Sequence, residues 1–362
     1  MSKVLFIIND GVYPYQTGGM EVFNYHLIKT LSHEMPVSYM ASHEYDFDSA
    51  KYVRSCSLRP TKLFTPLWAL IYLMFHREYK QVVISFSAAH WLVWQIYGLT
   101  VRFLKLKAIV VIHYGKTAPT DHFSVYRDFF QAAANVVAVS EDIKENYDAT
   151  YDLDCKVIFP LIPFTKAERD KPYYRAKYHI PIDANVISMV GSLKGMKNPQ
   201  RIIEALHLFD KEELATYRPH VVYAGAGPMQ DELKYLVEKK GLSDYVSFLG
   251  LIPNSHVKEI MAMSDIYLIA SDFEGTSVSL LEAMFNMKAI IASNVPGLRD
   301  MIENGEVGLL YDVNSPEQLK KCFIELMASK SECEKLGQAA RRRYETRYDY
   351  SNVIGAYKSM LK

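Results

Sequence analysis

Glu274 and Glu282 stand eight residues apart in the stretch SDFEGTSVSLLEAMFNMKAIIA, residues 271–292. The pattern predicts the end of a buried strand, a short polar loop, a helix capped by Thr276 or Ser277, and another buried strand. A helix N-terminus at the carboxyl end of a strand presents unpaired N–H groups and a partial positive charge, which favours a phosphate. A simpler interpretation also fits the spacing: Glu274 favours the helix dipole and Glu282 faces solvent. The apolar residues that flank Glu282 argue against a free solvent face.

Other side chains suited to catalysis or phosphate binding also follow predicted strands. Lys194 and Lys197 lie in the loop after the strand at 186–190, where a lysine can meet a phosphate as a point charge. His113 follows the strand at 108–112, at the end where α/β sheets bind their ligands. Taken alone, the lysines are as well explained as exposed loop residues, and a lone histidine is more often structural than catalytic.

Short motifs elsewhere argue against the common cofactors. The sequence GAGPMQ at 225–230 does not fit the dinucleotide-binding fingerprint, because Gln230 occupies the place of the third glycine. A phosphate-binding loop of the GxxxxGK[ST] type does not occur either. Asp-x-Asp pairs at 46–48 and 152–154 could hold a divalent metal beside a diphosphate. Neither pair follows a clear buried strand, so solvated loops are the favoured interpretation, and no metal or cofactor is predicted.

The composition is that of a globular protein with two domains. The chain has 362 residues, of which 49% are hydrophobic, and its formal net charge is zero. That length exceeds one ordinary core, and the charge balance gives no general attraction to nucleic acid. Four cysteines form no CxxC pair, so neither a zinc site nor disulfides are indicated. The apolar segment at 4–8 is too short for a signal peptide and the run at 65–75 is too short to span a bilayer, so a cytoplasmic location is expected.

Short apolar segments alternate with amphipathic helical patterns along the chain. Buried strands are predicted at 4–9, 82–86, 108–112, 136–139, 186–190, 220–224, 246–249, 266–270 and from 289. Helices are predicted after Gly18-Gly19, from Pro199, from the turn at 225–228 to about Lys240, and near 63–77, 90–104, 255–263, 277–287, 316–329, 332–347 and 352–361. Such alternation is typical of parallel α/β sheets. Prolines between 159 and 181 interrupt it, so we predict two doubly wound Rossmann-like domains that face a central cleft, the default ligand site.

The segment 51–107 combines basic and aromatic residues. Its nine lysines and arginines face a single acid, Glu78. Aromatic residues lie on its two predicted helices, at Trp68, Tyr72, Phe75, Trp91, Trp94, Tyr97 and Phe103. This composition favours contact with an anionic membrane surface, although two core-packing helices with solvated basic ends explain it equally well. Nucleic acid is a weaker third option, because no nucleic-acid-binding motif accompanies the charge.

Together these features resemble the retaining glycosyltransferases of the GT-B fold, the large family called group 1 or family 4. The matching segments are GGMEVFNYHL at 18–27, His113, GSLKGMKNPQRIIEAL at 191–206, GAGP at 225–228, EGTSVSLLEAM at 274–284 and IIASNVPGLRDMIENGEVGLLY at 290–311. The resemblance covers nearly the whole chain and is strongest from about 186 to 312. In this context the spacing of Glu274 and Glu282 is fairly specific, whereas GAGP and the glycine pair are weak when taken alone.

The resemblance implies that residues 1–165 form an acceptor-binding domain and residues 166–347 a nucleotide-sugar-binding domain. A helix at 348–362 is expected to return to the first domain. The donor would be a nucleoside-diphosphate sugar, with UDP the first expectation for the nucleotide and GDP the next. No cofactor besides this co-substrate is implied.

The resemblance also implies roles for individual residues. His113, Lys197 and Glu274 are the implied catalytic residues: the histidine near C6 of the sugar, the lysine on the diphosphate and the glutamate on the sugar. Glu282 would bind the ribose hydroxyls. The other implied donor-binding residues are Gly18, Gly19, Ser192, Lys194, Gly225, Gly250, Leu251, Ile252, Gly275, Thr276, Ser277 and Val278.

One position departs from the family pattern. Where the family usually carries an arginine, this chain has Ser192 followed by Leu193. One of the two basic residues that the family uses to bind the diphosphate is therefore missing at its expected place. Our hypothesis is that Lys194 takes over the role of this arginine.

These observations predict a retaining, metal-independent hexosyltransferase that acts on a glycan or a lipid-linked acceptor, as in the synthesis of a surface polysaccharide. The enzyme would be cytoplasmic, with a peripheral position on the inner face of the cell membrane as an option. No residue stands out as a covalent nucleophile, so the resemblance implies front-face attack on the donor. Two alternatives remain: a non-catalytic nucleotide-sugar-binding protein, which the missing arginine favours, and a GT-B nucleotide-sugar epimerase.

Overall fold

The computed structural model describes residues 3–8, 19–41, 44–55, 64–86, 90–113, 119–159, 163–274, 277–303 and 305–361, without the side chains of Gly19 and Glu21. These residues contain two parallel sheets flanked by helices. The strands are β1 (Lys3–Ile7), β2 (Val37–Ala41), β3 (Lys51–Arg54), β4 (Tyr79–Phe86), β5 (Lys107–Ile112), β6 (Asn135–Ala138), β7 (Lys156–Val157), β8 (Asn185–Val190), β9 (Pro219–Ala224), β10 (Val246–Gly250), β11 (Ile266–Ile269), β12 (Ala289–Ser293) and β13 (Leu309–Tyr311).

Most of the helices connect successive strands of the parallel sheets, and the last three follow β13. They are α1 (Gly19–Ser32), α2 (Phe64–Phe75), α3 (Trp91–Leu104), α4 (Phe123–Ala132), α5 (Glu141–Tyr151), α6 (Lys171–Lys177), α7 (Gln200–His207), α8 (Lys211–Tyr217), α9 (Gln230–Lys239), α10 (Val257–Met263), α11 (Val278–Phe285), α12 (Leu298–Ile302), α13 (Pro316–Ala328), α14 (Lys330–Arg343) and α15 (Tyr350–Met360). Short 3₁₀ turns occur at 195–197, 243–245 and 254–256, and a π turn follows α14 at 344–348.

The first sheet has the strand order β3-β2-β1-β4-β5-β6-β7. Its central strands β4 and β5 are buried along nearly their whole length because helices cover both faces. This explains why they read in the sequence as continuous apolar runs rather than as alternating ones. The order reverses between β1 and β4, which is the mark of a doubly wound sheet.

The second sheet has the strand order β10-β9-β8-β11-β12-β13, again with every neighbouring pair parallel. Here the order reverses between β8 and β11. Its core is built from the apolar faces of these strands and of the helices around them, such as Ile187 on β8, Leu206 on α7 and Phe323 on α13. The two sheets thus share one doubly wound, Rossmann-like architecture.

Contacts between residues divide the chain into two compact units. Residues Met1–Pro163 with Asp349–Lys362 form the first unit, and Phe164–Tyr348 form the second. Helix α15 packs on the first unit, where Tyr357 is buried in the core and Lys358 forms an ion pair with Glu34.

Several predicted elements are shifted or were missed. The helix expected up to Met287 ends at Phe285, and Met287 takes a left-handed conformation with φ 54°. The helix expected up to Arg347 ends at Arg343, where the π turn begins. Strands β2, β3, β7 and β13 and helices α5, α6, α8 and α12 were not predicted.

Candidate functional site

The loops that follow β8 and β11 lie at the carboxyl edge of the second sheet, where its strand order reverses. Ligands in open α/β sheets bind at such a switch point. Lys197, in the loop after β8, forms an ion pair with Glu274, in the loop after β11. The side chain of Glu274 is 10% exposed and that of Lys197 is 25% exposed. Two charged residues that are distant in sequence therefore meet where the topology predicts a ligand.

Further contacts hold the two loops together. Ser271 Oγ donates a hydrogen bond to Glu274 Oε1 at 2.7 Å. The backbone N–H of Asp272 donates to the carbonyl of Met196 at 3.0 Å, and Arg201 Nη1 lies 2.7 Å from Asp272 Oδ1. Sequence reasoning did not identify Ser271, Asp272 or Arg201. Their signal was weak: two polar residues directly after a buried strand, and one arginine in the helix after the lysine loop.

The lysine loop has a defined and compact shape. Lys197 ends the 3₁₀ turn, and its N–H donates to the carbonyl of Lys194 at 2.9 Å. Asn198 follows in a left-handed conformation with φ 42°. Its Nδ2 atom and Gln200 Oε1 are buried and have no hydrogen-bond partner among the described residues, although Gln200 Nε2 donates to Asn198 Oδ1 at 2.8 Å. Because buried polar atoms are usually paired, a polar ligand is one source of the missing hydrogen bonds.

The glycines of the GAGP motif allow the loop after β9 to pack against the loop after β8. A Cβ atom at Gly225 would lie 1.9 Å from the carbonyl oxygen of Gly191, and Gly225 also has φ +153°. A Cβ atom at Gly227 would lie 2.2 Å from the carbonyl oxygen of Leu193. Both contacts are with backbone atoms, which cannot move aside cheaply. The motif therefore fixes the distance between these loops, and a role of Gly225 in ligand binding stays a prediction.

Helix α11 starts beside Glu274 in the sequence. Ser277 is its N-cap: Ser277 Oγ accepts a hydrogen bond from the N–H of Leu280 at 3.4 Å, and the residue is buried. Ser279 Oγ in the first turn accepts a hydrogen bond from the hydroxyl of Tyr267 on β11 at 2.7 Å. Val278, the first helical residue, contributes one of the N–H groups that an α-helix leaves without an internal acceptor. The helix is thus held in place against β11.

Glu282 lies in the second turn of α11, between the buried residues Leu281 and Ala283. Its side chain is half-buried, and burial raises the pKa of its carboxyl group to about 8. Its carboxylate forms no ion pair with the part of the chain that the structure describes. The solvated-face interpretation is therefore wrong for this residue. Near neutral pH the carboxyl group holds a proton and can both donate and accept a hydrogen bond.

Where the family usually carries an arginine, this chain has the exposed Ser192 followed by the buried Leu193. Leu193 is fully buried and belongs to the apolar core of the second unit. Ser192 and Lys194 on either side of it are exposed. Lys194 is an exposed cation two residues after Ser192. Its substitution for the missing arginine therefore remains a hypothesis.

The loop after β10 contains three predicted donor-binding residues. Gly250 takes the left-handed conformation with φ +70° and pairs with Gly225 through an isolated bridge. Leu251 is 78% exposed. Ile252 is partly buried and packs on the cluster around Tyr174 and Ile260. The binding roles of all three remain predictions.

His113 belongs to the first unit, where it directly follows β5. Its ring meets that of Phe23 edge to face, with 4.9 Å between the ring centroids. Burial lowers the pKa of His113 to about 3, so the imidazole is neutral at physiological pH. Its Nε2 atom is buried and has no partner among the residues that the structure describes.

The remaining predicted residues give less information. Gly18, Gly275 and Thr276 lie outside the described residues, and Gly19 begins α1. The acidic residues of the two Asp-x-Asp pairs, Asp46, Asp48, Asp152 and Asp154, are all exposed. In the described ranges no group of three or more His, Cys, Asp or Glu side chains has a geometry that could hold a metal ion. The same ranges contain no helix that is long and apolar enough to cross a bilayer.

Comparison with known proteins agrees with this architecture. Residues 170–343 match the sequence profile of the family described as "Glycosyl transferases group 1". A curated relative, the D-inositol 3-phosphate glycosyltransferase of Corynebacterium glutamicum (strain R), is 27% identical over 202 residues, which are 54% of this chain and 48% of that protein. The chain thus spans about half the length of the curated relatives that it matches.

Solved structures resemble the chain over its full length. The structure of Anabaena Alr3699/HepE in complex with UDP and glucose has a TM-score of 0.80 at 16% identity and covers 100% of this chain and 99% of that one. A glycosyltransferase from Rickettsia africae ESF-5 has a TM-score of 0.84 at 18% identity and covers 99% of this chain and 98% of that one. Residues 170–343 therefore resemble the glycosyl transferases group 1 family, and the chain as a whole has the GT-B fold.

Proposed function

We propose that this protein is a retaining glycosyltransferase that moves a sugar from a nucleoside-diphosphate donor, UDP first and GDP next, to an acceptor hydroxyl. The observation that carries the proposal is the Lys197–Glu274 ion pair at the switch point of the second sheet. A cation for the diphosphate and a carboxylate for the sugar stand there together. The UDP and glucose bound to Anabaena HepE, a protein of the same fold, support UDP as the nucleotide.

The proposed chemistry needs stabilisation of a leaving diphosphate. The bond from the anomeric carbon to the diphosphate oxygen breaks while a bond to the acceptor oxygen forms on the same face. The proton of the acceptor hydroxyl passes to an oxygen of the leaving phosphate. Lys197 and the N–H groups at the start of α11 oppose the charge that develops on the diphosphate, which is the form of catalysis that preorganised dipoles and charges supply.

The two glutamates would recognise the donor rather than attack it. Glu274 is held by Ser271 and Lys197 and would accept a hydrogen bond from a sugar hydroxyl. Glu282 would bind the ribose hydroxyls, and its raised pKa of about 8 allows it to donate one of those hydrogen bonds. His113, whose place near the sugar rests on the family resemblance, would act as a neutral hydrogen-bonding group.

The acceptor proposed is a glycan or a lipid-linked precursor of a surface polysaccharide, with the enzyme in the cytoplasm or at the inner face of the membrane. The basic and aromatic segment 51–107 supports this choice. The metal-independent mechanism is likewise part of the proposal, because Lys197 and the helix N-terminus can supply the positive charge that a metal provides in other transferases.

A thermal-shift panel with UDP, GDP, CMP, TDP and NAD, first without added metal and then with EDTA, tests the proposal. Ligand at about 100 times its Kd adds roughly 2.7 kcal/mol to the free energy of unfolding, enough to raise Tm by several degrees. We expect a shift with UDP or GDP that EDTA does not change. The Lys197→Ala variant should lose it, while Lys234→Ala, which removes an exposed lysine on α9, should keep it. No shift with any nucleoside diphosphate would overturn the proposal.

Catalysis is tested on the same protein. With UDP-glucose and a simple alkyl glycoside acceptor, NMR of the product distinguishes an α-linkage from a β-linkage. An axial product from the axial donor supports retention, and an equatorial product contradicts it. Conversion of the donor into another nucleotide sugar without acceptor would instead identify an epimerase, and donor binding without turnover on any acceptor would identify a binding protein.

A further inference from the structure

We propose that the outward face of helix α2 docks on the surface of an anionic lipid bilayer. Six large apolar side chains on this helix are between 40% and 81% exposed: Phe64, Leu67, Trp68, Ile71, Met74 and Phe75. At about 100° per residue they fall within an arc of roughly 120°, so they form one continuous stripe along the helix. We call these six residues the α2 stripe. Soluble proteins rarely expose so many large apolar side chains side by side.

The opposite face of α2 packs against the first unit. Pro66, Ala69 and Leu73 are buried against the first unit, so the helix is anchored there and the α2 stripe points away from the core. The helix contains no acidic or basic residue, FTPLWALIYLMF, so nothing within it opposes entry into an apolar layer. Trp68 also has its indole N–H satisfied, since Nε1 donates to the carbonyl of Arg54 at 2.9 Å. Burial of its ring in lipid therefore leaves no unpaired donor.

Helix α3 extends the apolar surface next to α2. Its Leu99 and Phe103 are 60% and 69% exposed and lie four residues apart, on one face of the helix. Other aromatic residues of α3 do not contribute. Trp94 and Tyr97 are fully buried in the core of the first unit, and Trp91 stacks on His122 at 4.5 Å. The expectation that both helices present their aromatic residues to a membrane is therefore wrong for Trp94 and Tyr97.

The charges around the α2 stripe favour an anionic partner. Exposed cations lie on neighbouring elements, at Arg54, Arg77, Lys80, Lys105 and Lys107. Arg102 on α3 is also exposed, but it pairs with Asp128 at 3.8 Å. The one acid of the segment, Glu78, lies 3.7 Å from the ammonium group of Lys3 in an exposed ion pair. An apolar stripe surrounded by basic residues is typical of a helix that lies in the interface of an anionic bilayer. A second copy of this chain fits the α2 stripe less well, because a symmetric contact would bring the basic residues of both copies close together.

Vesicle flotation tests the proposal on the full chain. We expect binding to vesicles with 30% phosphatidylglycerol at low salt, weaker binding at moderate salt, and little binding to pure phosphatidylcholine. The double variant Ile71→Gln with Phe75→Gln should lower the partition coefficient at least tenfold. The matched control Ile182→Gln with Tyr235→Gln replaces equally exposed apolar residues of the second unit and should bind as the wild type does. Equal losses in both double variants would overturn the proposal.

Tryptophan fluorescence gives a second measurement that does not depend on a loss of binding. Lipids brominated on the acyl chain should quench the exposed Trp68 and leave the buried Trp94 bright. The Trp68→Phe variant should bind vesicles but lose most of the quenching. Absence of vesicle binding at both salt concentrations would overturn the proposal. Association of the protein with itself that the α2 double variant abolishes would assign this face to a second copy of the chain instead. The inference does not rest on donor binding, so its failure leaves the proposed transferase activity untouched.

Discussion

Lys197 and Glu274 form an ion pair that ties the loop after β8 to the loop after β11. Glu274 is buried, and its carboxylate contacts Lys197 and accepts a hydrogen bond from Ser271. A diphosphate that draws Lys197 away would leave this carboxylate without its cation, and a sugar hydroxyl can then satisfy it. We infer that recognition of the diphosphate and recognition of the sugar are coupled through this pair.

A double-mutant cycle measures the interaction energy between Lys197 and Glu274 in the unliganded protein. Lys197→Met leaves a buried carboxylate unpaired, and Glu274→Gln removes the charge that the lysine balances, so each single variant should be less stable than the wild type. The double variant should be more stable than the sum of the two losses predicts, by about 0.5–3 kcal/mol, the range for residues in contact. Urea unfolding of the four proteins gives the value. Additive losses would mean that the ion pair contributes nothing to stability.

Lys194 is predicted to replace the arginine that the family carries. Its loss in Lys194→Ala should raise the Kd for UDP by roughly ten- to a hundredfold, since a charge-assisted hydrogen bond contributes about 1.5–3 kcal/mol. The fold should be unaffected, because the side chain is exposed. Isothermal titration of UDP into Lys194→Ala and into the control Lys234→Ala checks this. Unchanged affinity and turnover in Lys194→Ala would rule the lysine out of the diphosphate site.

Glu282 makes the stability of the unliganded protein depend on pH. Its pKa is about 8 in the folded protein and about 4.5 in the unfolded chain, so the folded state holds the proton more tightly. Its contribution to stability is therefore fully present below about pH 4.5 and is lost as the pH rises through 8. The Glu282→Gln variant cannot ionise, so its Tm relative to the wild type should be several degrees higher at pH 8.5 than at pH 5.

The same comparison has a direct control. Glu238→Gln replaces an exposed carboxylate on α9, and its difference from the wild type should hardly change between the two pH values. Should Glu282→Gln show the same flat behaviour, the carboxyl group would be ionised at neutral pH and its binding mode would have to be that of a carboxylate.

The glycines of the GAGP motif are predicted to be necessary for the fold. Gly227→Ala places a Cβ atom 2.2 Å from the carbonyl oxygen of Leu193, so the loop must move, at a cost of about 1–3 kcal/mol or more. Gly195→Ala is the control: a Cβ atom there meets nothing within 4 Å. Thermal unfolding should show a lower Tm for Gly227→Ala alone. A normal Tm for this variant would mean that the loop has room to relax.

The sequence was most informative where burial is complete. Strands such as β4 and β5 are covered on both faces, so their apolar runs are visible without any knowledge of their partners. Strand β2 is just as buried but contains Ser38, whose hydroxyl is paired with that of Tyr79 at 2.8 Å. A tertiary hydrogen bond thus allows a polar residue in a core strand, and this bond cannot be read from local sequence. Helix α8 could have been found, since Asp210 and Glu213 form a capping box.

For the candidate site, sequence spacing located single residues but not their relationships. Lys197 and Glu274 were each placed after a buried strand, which is a local inference. Their contact depends on β8 lying next to β11, and strand order is set by packing over the whole unit. The network through Ser271, Asp272 and Arg201 depends on the same neighbourhood. Burial of Glu282 was indicated by its apolar flanks, because a carboxylate within such a run has little access to water.

His113 is predicted to stay neutral over the whole physiological range of pH. Burial lowers its pKa to about 3, because the charged imidazolium would lose its hydration beside Phe23. The imidazole resonances of His113 in a ¹H–¹³C correlation spectrum, assigned by their absence from the His113→Gln variant, should not shift between pH 8 and pH 5. A titration near pH 6.5 would show instead that the ring is hydrated and can carry a positive charge. The neutral ring can offer a hydrogen bond to a hydroxyl but carries no charge for a phosphate.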